Sequence, residues 1–324
     1  MMRVVDLFSG CGGMSLGFAN AGFDVVVAVD NWAPAIEIYE KNFGHPILKR
    51  DLLDVSACAP ELSALGPDVI IGGPPCQDFS SAGKRDEGGG RANLTVAFAE
   101  LIKAVGPQWF VMENVARAAE SQTYRRARAI FVEAGYGLTE QVLDASLCGV
   151  PQERNRFFVI GHLGGEDGEV LETLQSRLAR RQMTLREYFG DTLGIDHYYR
   201  HPRSYKRRAV FSVDEPSPTI RGVNRPIPQG YPGHPGDTLP IKKVSRPLTT
   251  SERARVQTFP ADFVFCGSKA NVEQAIGNAV PVKLAQFVAE AVRDSAQPSA
   301  GLAALCIPHG QLKLFSAARA AMKK

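Results

Sequence analysis

The stretch Arg3-Val4-Val5-Asp6-Leu7-Phe8-Ser9-Gly10-Cys11-Gly12-Gly13 decides the fold of this chain. Its first half is apolar and β-branched, which predicts a buried strand over residues 3–8. The glycines that follow predict a tight turn, and they let the backbone approach a ligand closely. Because the six-residue window from Gly10 ends at Ser15, the dinucleotide fingerprint G-x-G-x-x-G is not met.

Short apolar runs and helical stretches alternate over the first 160 residues. This alternation predicts an α/β fold with a doubly wound, mostly parallel sheet covered by helices on both faces. The predicted strands after the first are residues 25–30, 68–71, 109–113 and 156–160, and the predicted helices are 14–21, 33–43, 94–105 and 124–134.

Polar residues stand where the predicted strands end. Asp30 ends the second strand, Cys76 follows residues 68–71, and Glu113 ends the strand from residue 109. In an open parallel sheet, ligands bind beyond the carboxyl ends of the strands, so these residues are expected to meet. Asp30 suits the two hydroxyls of a ribose, although it could equally cap the next helix. A glycine turn without the fingerprint favours a nucleoside cofactor that lacks a pyrophosphate, and S-adenosylmethionine fits better than NAD.

Three further features carry chemistry. Cys76 follows two prolines that stiffen the backbone, and a thiol presented in this way is a nucleophile or a small buried apolar residue. Glu113 ends an apolar run, where burial raises the pKa of a carboxyl and lets it carry a proton; the alternative is a capping carboxylate. Gln152, Arg154 and Arg156 alternate, which predicts a row of donors on one strand face or a solvated edge.

Composition limits the classes of function. The 324 residues hold 37 Lys+Arg against 34 Asp+Glu, a net charge of +3, which excludes a histone-like polycation or an acidic tail. No run approaches the ~18 apolar residues of a membrane span. The six cysteines show no Cys-x-x-Cys and no metal-ligand spacing, so we expect no metal site and a reducing, cytoplasmic compartment.

The middle of the chain differs from the first part. Residues 177–208 hold nine Lys or Arg against three acids, with tyrosines interleaved, and residues 222–240 hold five prolines and four glycines. These patterns predict a smaller, irregular and basic unit, and Lys and Arg side chains bind phosphate.

Six motifs occur in the order found in the DNA (cytosine-5)-methyltransferases, and the chain resembles that family, in particular the bacterial type II modification methylases. The motifs are residues 6–13, Gly73-Pro74-Pro75-Cys76-Gln77, Glu113-Asn114-Val115, Gln152-Glu153-Arg154-Asn155-Arg156, residues 246–260, and Gly277-Asn278-Ala279-Val280-Pro281. The resemblance implies the Rossmann-like fold of S-adenosylmethionine-dependent methyltransferases with a target-recognition domain.

The resemblance also implies the chemistry. Cys76 would add to carbon 6 of a cytosine flipped out of duplex DNA, Glu113 would stabilise the ring at N3, and Arg154 and Arg156 would hold the carbonyl edge and orient Glu113. Carbon 5 would then take the methyl group of S-adenosylmethionine.

The cofactor residues implied in the same way are Phe8, Ser9, Gly10, Gly12, Gly13, Asp30, Asn31, Asp51, Leu52, Pro75, Leu94, Asn278 and Val280. Two of them depart from the family pattern. Many members carry Glu where this chain has Asp30, and some carry an aromatic residue where it has Asn31.

The DNA contacts implied are Gln77, Ser80, Ser81, Arg91, Gln152, Arg200, Arg203, Arg207, Arg221, Asn224 and Arg225. Residues 81–91 look like a mobile loop that closes over the flipped base. We expect a catalytic and cofactor-binding domain at 1–170, a target-recognition domain at 171–265, a returning C-terminal helix at 266–295, and a tail of unassigned role at 296–324. The enzyme is expected to be a monomer in the bacterial cytoplasm or nucleoid. The resemblance also implies a possible partner, a restriction endonuclease that acts on the same DNA site.

Three alternatives remain beside this hypothesis. A tRNA cytosine-5 methyltransferase of the same fold would share Cys76 and Glu113, but the Pro-Pro-Cys-Gln motif and the long recognition segment favour DNA. A non-catalytic DNA-binding regulator is disfavoured because Cys76, Glu113, Arg154 and Arg156 are all present. An NAD dehydrogenase is disfavoured because the glycine fingerprint fails.

Overall fold

The computed structural model describes residues 1–75 and 93–296 of the chain. Seven strands form one sheet in the order β3-β2-β1-β4-β5-β8-β6. They are β1 (Arg3–Leu7), β2 (Asp24–Asp30), β3 (Ile47–Lys49), β4 (Val69–Gly72), β5 (Trp109–Val115), β6 (Tyr136–Asp144) and β8 (Asn155–Leu163). All neighbouring pairs are parallel except those of β8, which runs antiparallel to both β5 and β6. The predicted doubly wound, mostly parallel sheet is therefore confirmed.

Ten α-helices lie in the described part of the chain. They are α1 (Gly13–Asn20), α2 (Ala33–Glu40), α3 (Val55–Ala64), α4 (Asn93–Val105), α5 (Gln122–Glu133), α6 (Leu171–Arg177), α7 (Leu185–Phe189), α8 (Thr250–Val256), α9 (Lys269–Asn278) and α10 (Val282–Ala296). One face of the sheet packs against α1, α6 and α10, and the other packs against α3, α4 and α5. Strands with apolar side chains on both faces need this double cover, which explains their continuous apolar runs.

The middle of the chain forms short elements rather than a second large sheet. Strands β9 (His197–Tyr199) and β10 (Val210–Ser212) pair antiparallel, and β11 (Ser217–Pro218) pairs parallel with β7 (Gln152–Glu153). An apolar cluster joins this part to α8, α9 and the residues around α2. Because β7 directly precedes β8, the β7–β11 pair brings the residues just after β11 close to the start of β8 in the main sheet.

Several elements differ from the sequence-based prediction. The strand predicted at residues 156–160 is nine residues long and antiparallel, and β3, α3 and β6 were not predicted. Phe8 lies outside β1, with a φ of 57°. Within the described ranges, no helix is both long and apolar enough to cross a membrane.

The strand order reverses between β1 and β4, because β2 and β3 lie on one side of β1 and β5 lies beyond β4. A crevice opens at such a reversal, beyond the carboxyl ends of the strands. The glycine turn after β1 and the proline-rich segment after β4 both border it.

Candidate active site

The glycine turn after β1 has a backbone that most side chains would not tolerate. Gly10 and Gly12 have φ angles of 55° and 93°, in the left-handed region that favours glycine. A Cβ atom on Gly13 would lie 2.2 Å from the carbonyl oxygen of Val280, so glycine is needed where α1 begins. The turn therefore packs directly against the segment that follows α9.

Asp30 holds this turn from the end of β2. Its Oδ2 accepts a hydrogen bond from the N–H of Gly10 at 2.8 Å. Its Oδ1 accepts from the N–H groups of Asn31 and Trp32, each at 2.8 Å, just before α2 begins. Asp30 thus fixes the glycine turn against the start of α2.

A cavity of about 700 Å³ opens above this turn, a size typical of small-molecule sites. Nine of the predicted cofactor residues line it: Phe8, Ser9, Gly10, Gly13, Asp30, Asn31, Pro75, Asn278 and Val280. The predicted catalytic residues Glu113, Arg154 and Arg156 line the same cavity. The structure therefore brings the two predicted groups of residues together.

Four predicted cofactor residues are not among those lining the cavity in the described structure. Asp51 is exposed and its Oδ1 accepts from the N–H of Leu53, Leu52 is buried in the apolar core, and Leu94 is half-buried near the start of α4. A Cβ atom on Gly12 would lie 2.3 Å from the ring of Phe43, so that glycine serves the packing of the turn.

The cavity also contains residues that the sequence did not single out. Trp32 lines it beside Asn31. Asp6, fully buried on β1, is the most unusual. A charged residue inside an apolar strand is a signal that could have identified it.

Two buried oxygens on the cavity wall are unsatisfied. Within the described chain, Asp6 Oδ1 and Ser9 Oγ have no hydrogen-bond partner. Asp6 Oδ2 accepts from the hydroxyl of Ser15 at 2.6 Å, and burial raises the pKa of Asp6 to about 7. Buried polar atoms are normally hydrogen-bonded, so these two atoms indicate a ligand with polar groups.

Glu113 and Arg156 form an ion pair at the far side of the cavity. Arg156 Nε lies 2.8 Å from Glu113 Oε1. Burial raises the pKa of Glu113, and the positive charges of Arg156 and Arg154 oppose this rise. The Nδ2 of Asn114 donates to the carbonyl of Pro74 at 3.3 Å, which ties the end of β5 to the proline-rich segment. The carboxyl is therefore held in place and disposed to carry a proton.

Gln152, Arg154 and Arg156 do not form the single row of donors that their spacing suggested. Gln152 lies in β7 and Arg156 in β8, with Arg154 between the two strands. Arg154 is 2% exposed and donates to the carbonyls of Ile220, Gly277 and Ala279. Its hydrogen bonds go to backbone, so it acts on Glu113 through its charge, whereas Arg156 orients the carboxyl directly.

Gln152 is fully buried, which does not agree with its predicted role as a DNA contact. Its Nε2 donates to Gln257 Oε1 at 2.7 Å, and its Oε1 accepts from the N–H of Ile220 at 2.8 Å. Both ends of the amide are therefore used inside the protein, so the Gln152 side chain is not available at the surface to contact DNA.

The other described residues that were predicted to contact DNA form an exposed group and a half-buried group. Arg203, Arg207 and Arg225 are exposed. Arg200, Arg221 and Asn224 are half-buried, and each donates to a backbone carbonyl, of Thr219, His201 and Leu248 respectively.

These arginines lie close enough to repel one another. Burial and the neighbouring positive charges of Arg221, Arg253 and Arg203 lower the pKa of Arg200 to about 9. Burial and the charges of Arg203, Arg207 and Arg225 likewise lower the pKa of Arg221. A cluster of like charges of this kind suits a polyanion.

Five predicted residues lie outside the described ranges: Cys76, Gln77, Ser80, Ser81 and Arg91. The predicted mobile loop at residues 81–91 and nearly all of the tail at 296–324 also lie outside them. Pro75, directly before Cys76, is described and lines the cavity.

Comparisons with known proteins show the family of the chain. The sequence profile of the C-5 cytosine-specific DNA methylases matches residues 2–294. The type II methyltransferase M.HgiDI of Herpetosiphon aurantiacus is 57% identical over 292 residues, which cover 90% of this chain and 94% of that protein. M.HindV, a type II methyltransferase of Haemophilus influenzae, is 53% identical over 292 residues, covering 90% and 96%.

Solved structures show the same fold at low identity. The Entamoeba histolytica methyltransferase EhMeth has a TM-score of 0.70 and 17% identity, with 92% of this chain and 99% of that chain covered. A DNA modification methyltransferase encoded within an Escherichia coli prophage has a TM-score of 0.67 and 22% identity, with 91% and 99% covered.

Proposed function

Because the chain belongs to the family of C-5 cytosine-specific DNA methylases and is a DNA (cytosine-5)-methyltransferase, we propose the following reaction. The enzyme methylates carbon 5 of a cytosine in a specific duplex sequence, after flipping the base and forming a covalent bond to Cys76. The observation that carries this proposal is the buried pair Glu113–Arg156 in the cavity that Asp30 and the glycine turn also line.

The need for a nucleophile follows from the substrate. Carbon 5 of cytosine is a poor nucleophile, and addition of a thiolate to carbon 6 makes it reactive. Cys76 is the residue we assign to this step, since it follows Pro75 at the cavity wall. After carbon 5 takes the methyl group, loss of its proton and release of Cys76 regenerate the aromatic ring and the free thiol.

Glu113 stabilises the charge that develops on the ring. Burial raises its pKa, which favours the protonated carboxyl that can hydrogen-bond N3 of the flipped cytosine. Arg156 holds Oε1 of that carboxyl at 2.8 Å, so the group meets the base with little reorganisation. We assign Arg156, rather than Arg154, to orienting Glu113.

The residues of the cavity fit S-adenosylmethionine. The cofactor supplies an electrophilic methyl group on a sulfonium. We assign Asp30 to the ribose hydroxyls and Phe8 to packing near the adenine, since both line the cavity together with Trp32. The unsatisfied oxygens of Asp6 and Ser9 suit the charged amino acid end. Asn278 and Val280 close the opposite wall.

The arginine cluster is the surface that we assign to DNA. Arg203, Arg207 and Arg225 are exposed at the surface, and they suit contacts with phosphates or base edges. Half-buried Arg200, Arg221 and Asn224 shape the same surface by holding the backbone. We propose that the enzyme acts on DNA in the cytoplasm, and the monomeric state and a companion endonuclease remain predictions.

The test uses full-length enzyme and methyl-labelled S-adenosylmethionine, with duplex DNA and tRNA side by side. We expect transfer to DNA alone, and bisulfite mapping of the product gives the target sequence. Cys76→Ala should abolish transfer and the covalent adduct with a target duplex that contains 5-fluorocytosine, while Cys266→Ala retains both. Transfer to tRNA alone, or turnover by Cys76→Ala, would show that the proposal is wrong.

A further inference from the structure

A buried polar network joins the arginine cluster to the wall of the cofactor cavity. It involves loop 219–225, which follows β11 and carries Arg221, Asn224 and Arg225, and segment 277–280, which carries Asn278 and Val280. A Cβ atom on Gly277 would lie 2.1 Å from the backbone nitrogen of Gly222. The two stretches therefore touch backbone to backbone.

Arg154 bonds to both stretches at once. Its Nη1 donates to the carbonyl of Ile220 at 3.1 Å. Its Nη2 donates to the carbonyls of Gly277 at 3.2 Å and Ala279 at 3.0 Å. Loop 219–225 and segment 277–280 therefore share one guanidinium, and a shift of either stretch strains its bonds to the other.

Two buried glutamines repeat the same connection. Gln152 accepts from the N–H of Ile220 at 2.8 Å and donates to Gln257 at 2.7 Å. Gln257 donates to the carbonyls of Ile276 at 2.6 Å and Ala279 at 3.0 Å. Gln152 and Gln257 are each fully buried, so water does not readily replace a hydrogen bond that either side chain loses. Both backbone groups of Ile220 are thus fixed relative to Ala279.

The other side of the loop is also anchored. Arg253 on α8 forms a buried ion pair with Glu273 on α9 and donates to the carbonyl of Arg221. Asn224 Nδ2 donates to Glu273 Oε1 at 3.3 Å. Loop 219–225 is therefore attached to α9, the helix that leads into segment 277–280.

We infer that Gln152, Arg154 and Gln257 are positioning residues that couple the seating of loop 219–225 on DNA to the shape of the cofactor cavity. DNA and cofactor then strengthen each other's binding, and the effect is reciprocal because both act on one rigid unit. This inference rests on the proposed function, and it gives Arg154 a role distinct from contact with the base.

The experiment measures a coupling factor. The affinity of full-length enzyme for S-adenosylhomocysteine is determined by calorimetry, alone and saturated with the target duplex found by bisulfite mapping. We expect the duplex to tighten S-adenosylhomocysteine binding on the order of tenfold in the wild type. In Gln257→Met and Gln152→Met the factor should fall towards one, while the affinity for each ligand alone changes by less than about threefold.

Tyr136→Phe is the matched control. It removes a buried hydrogen bond to the carbonyl of Pro107, in a part of the sheet that the network does not include. Its coupling factor should equal that of the wild type. Thermal melting checks that each variant is folded. If Gln257→Met does not fold, the coupling factor of Gln152→Met decides the test.

The two proposals fail in different ways. An enzyme that transfers no methyl group to DNA would overturn the proposed function. If the enzyme is active, each of three results would overturn the coupling proposal alone. The first is a wild-type coupling factor near one, and the second is a wild-type factor in both glutamine variants. The third is a reduced factor in Tyr136→Phe.

Discussion

Arg156 Nε lies 2.8 Å from Glu113 Oε1, with the side chains 14% and 11% exposed. In this setting the pairing partner cannot be replaced easily by water. Burial raises the pKa of Glu113 in spite of that partner. The carboxyl is therefore both fixed in position and ready to hold a proton, the two properties that an acid at a flipped base requires.

Glu113→Gln should lower the rate of methyl transfer by about 10²–10⁴-fold, because the amide keeps the shape but cannot act as an acid. The measurement is single-turnover transfer from labelled cofactor to duplex DNA. Affinity for S-adenosylhomocysteine should change little. Glu133→Gln, at an exposed ion pair with Lys103, is the control and should remain active. Near-normal transfer by Glu113→Gln would remove the carboxyl from the mechanism.

Arg156→Gln should move the alkaline limb of the pH–rate profile to higher pH, at a lower overall rate. The charge of Arg156 lowers the pKa of Glu113, so its removal lets burial raise that pKa further. The protonated carboxyl then persists to higher pH. The profile is measured on single-turnover rates with saturating DNA. A limb that stays in place or moves to lower pH would show that it reports a different group.

Asp30→Ala should weaken S-adenosylhomocysteine binding by about tenfold or more. The variant loses the hydrogen bonds to Gly10, Asn31 and Trp32 and the proposed contact with the ribose. Calorimetry with S-adenosylhomocysteine and its 2′-deoxy analogue separates the two effects. The wild type should prefer the ribose form, and the variant should bind both forms alike. An equal preference in both proteins would limit Asp30 to holding the turn.

Asp6→Asn should flatten the pH dependence of stability. An unfolded aspartate loses its proton near pH 3.8, whereas the folded Asp6 loses it near pH 7. Between these values the folded state binds the additional proton, so the contribution of Asp6 falls as the pH rises and is lost above about pH 7. The wild type should therefore lose about 3 kcal/mol more than the variant between pH 5 and pH 8, given about 1.4 kcal/mol per pKa unit.

Urea unfolding of the protein without cofactor gives these free energies. Asp262→Asn, at an exposed position, is the control and should follow the wild type. Identical pH dependence of the wild type and Asp6→Asn would mean that the buried carboxyl titrates alike in the folded and unfolded chain.

The sequence predicted the parts of the fold that depend on apolar runs. β1, β2, β4 and β5 occur within a residue or two of the predicted bounds because each run is buried on both faces. β3 has three residues and is too short to give a pattern, and α3 contains Pro60, which masks its helical character. The antiparallel direction of β8 depends on pairing with β5 and β6, which local sequence does not encode.

The same division holds for the site. Asp30 ends β2 and Glu113 lies two residues before the end of β5, so both could be identified from their place near the carboxyl ends of apolar runs. Arg154 could not be distinguished from Arg156, since its partners Ile220 and Ala279 are far away along the chain. The nucleophilic role of Cys76 remains a prediction.

The cavity draws its walls from stretches that lie far apart in the chain: Phe8 and Gly10 form one part, Asn278 and Val280 form another, and α10 packs on α1. During translation, a ribosome must therefore deliver the residues up to Val280 before the described walls of the cavity are complete. A product of synthesis interrupted before Asn278 would lack one of these walls.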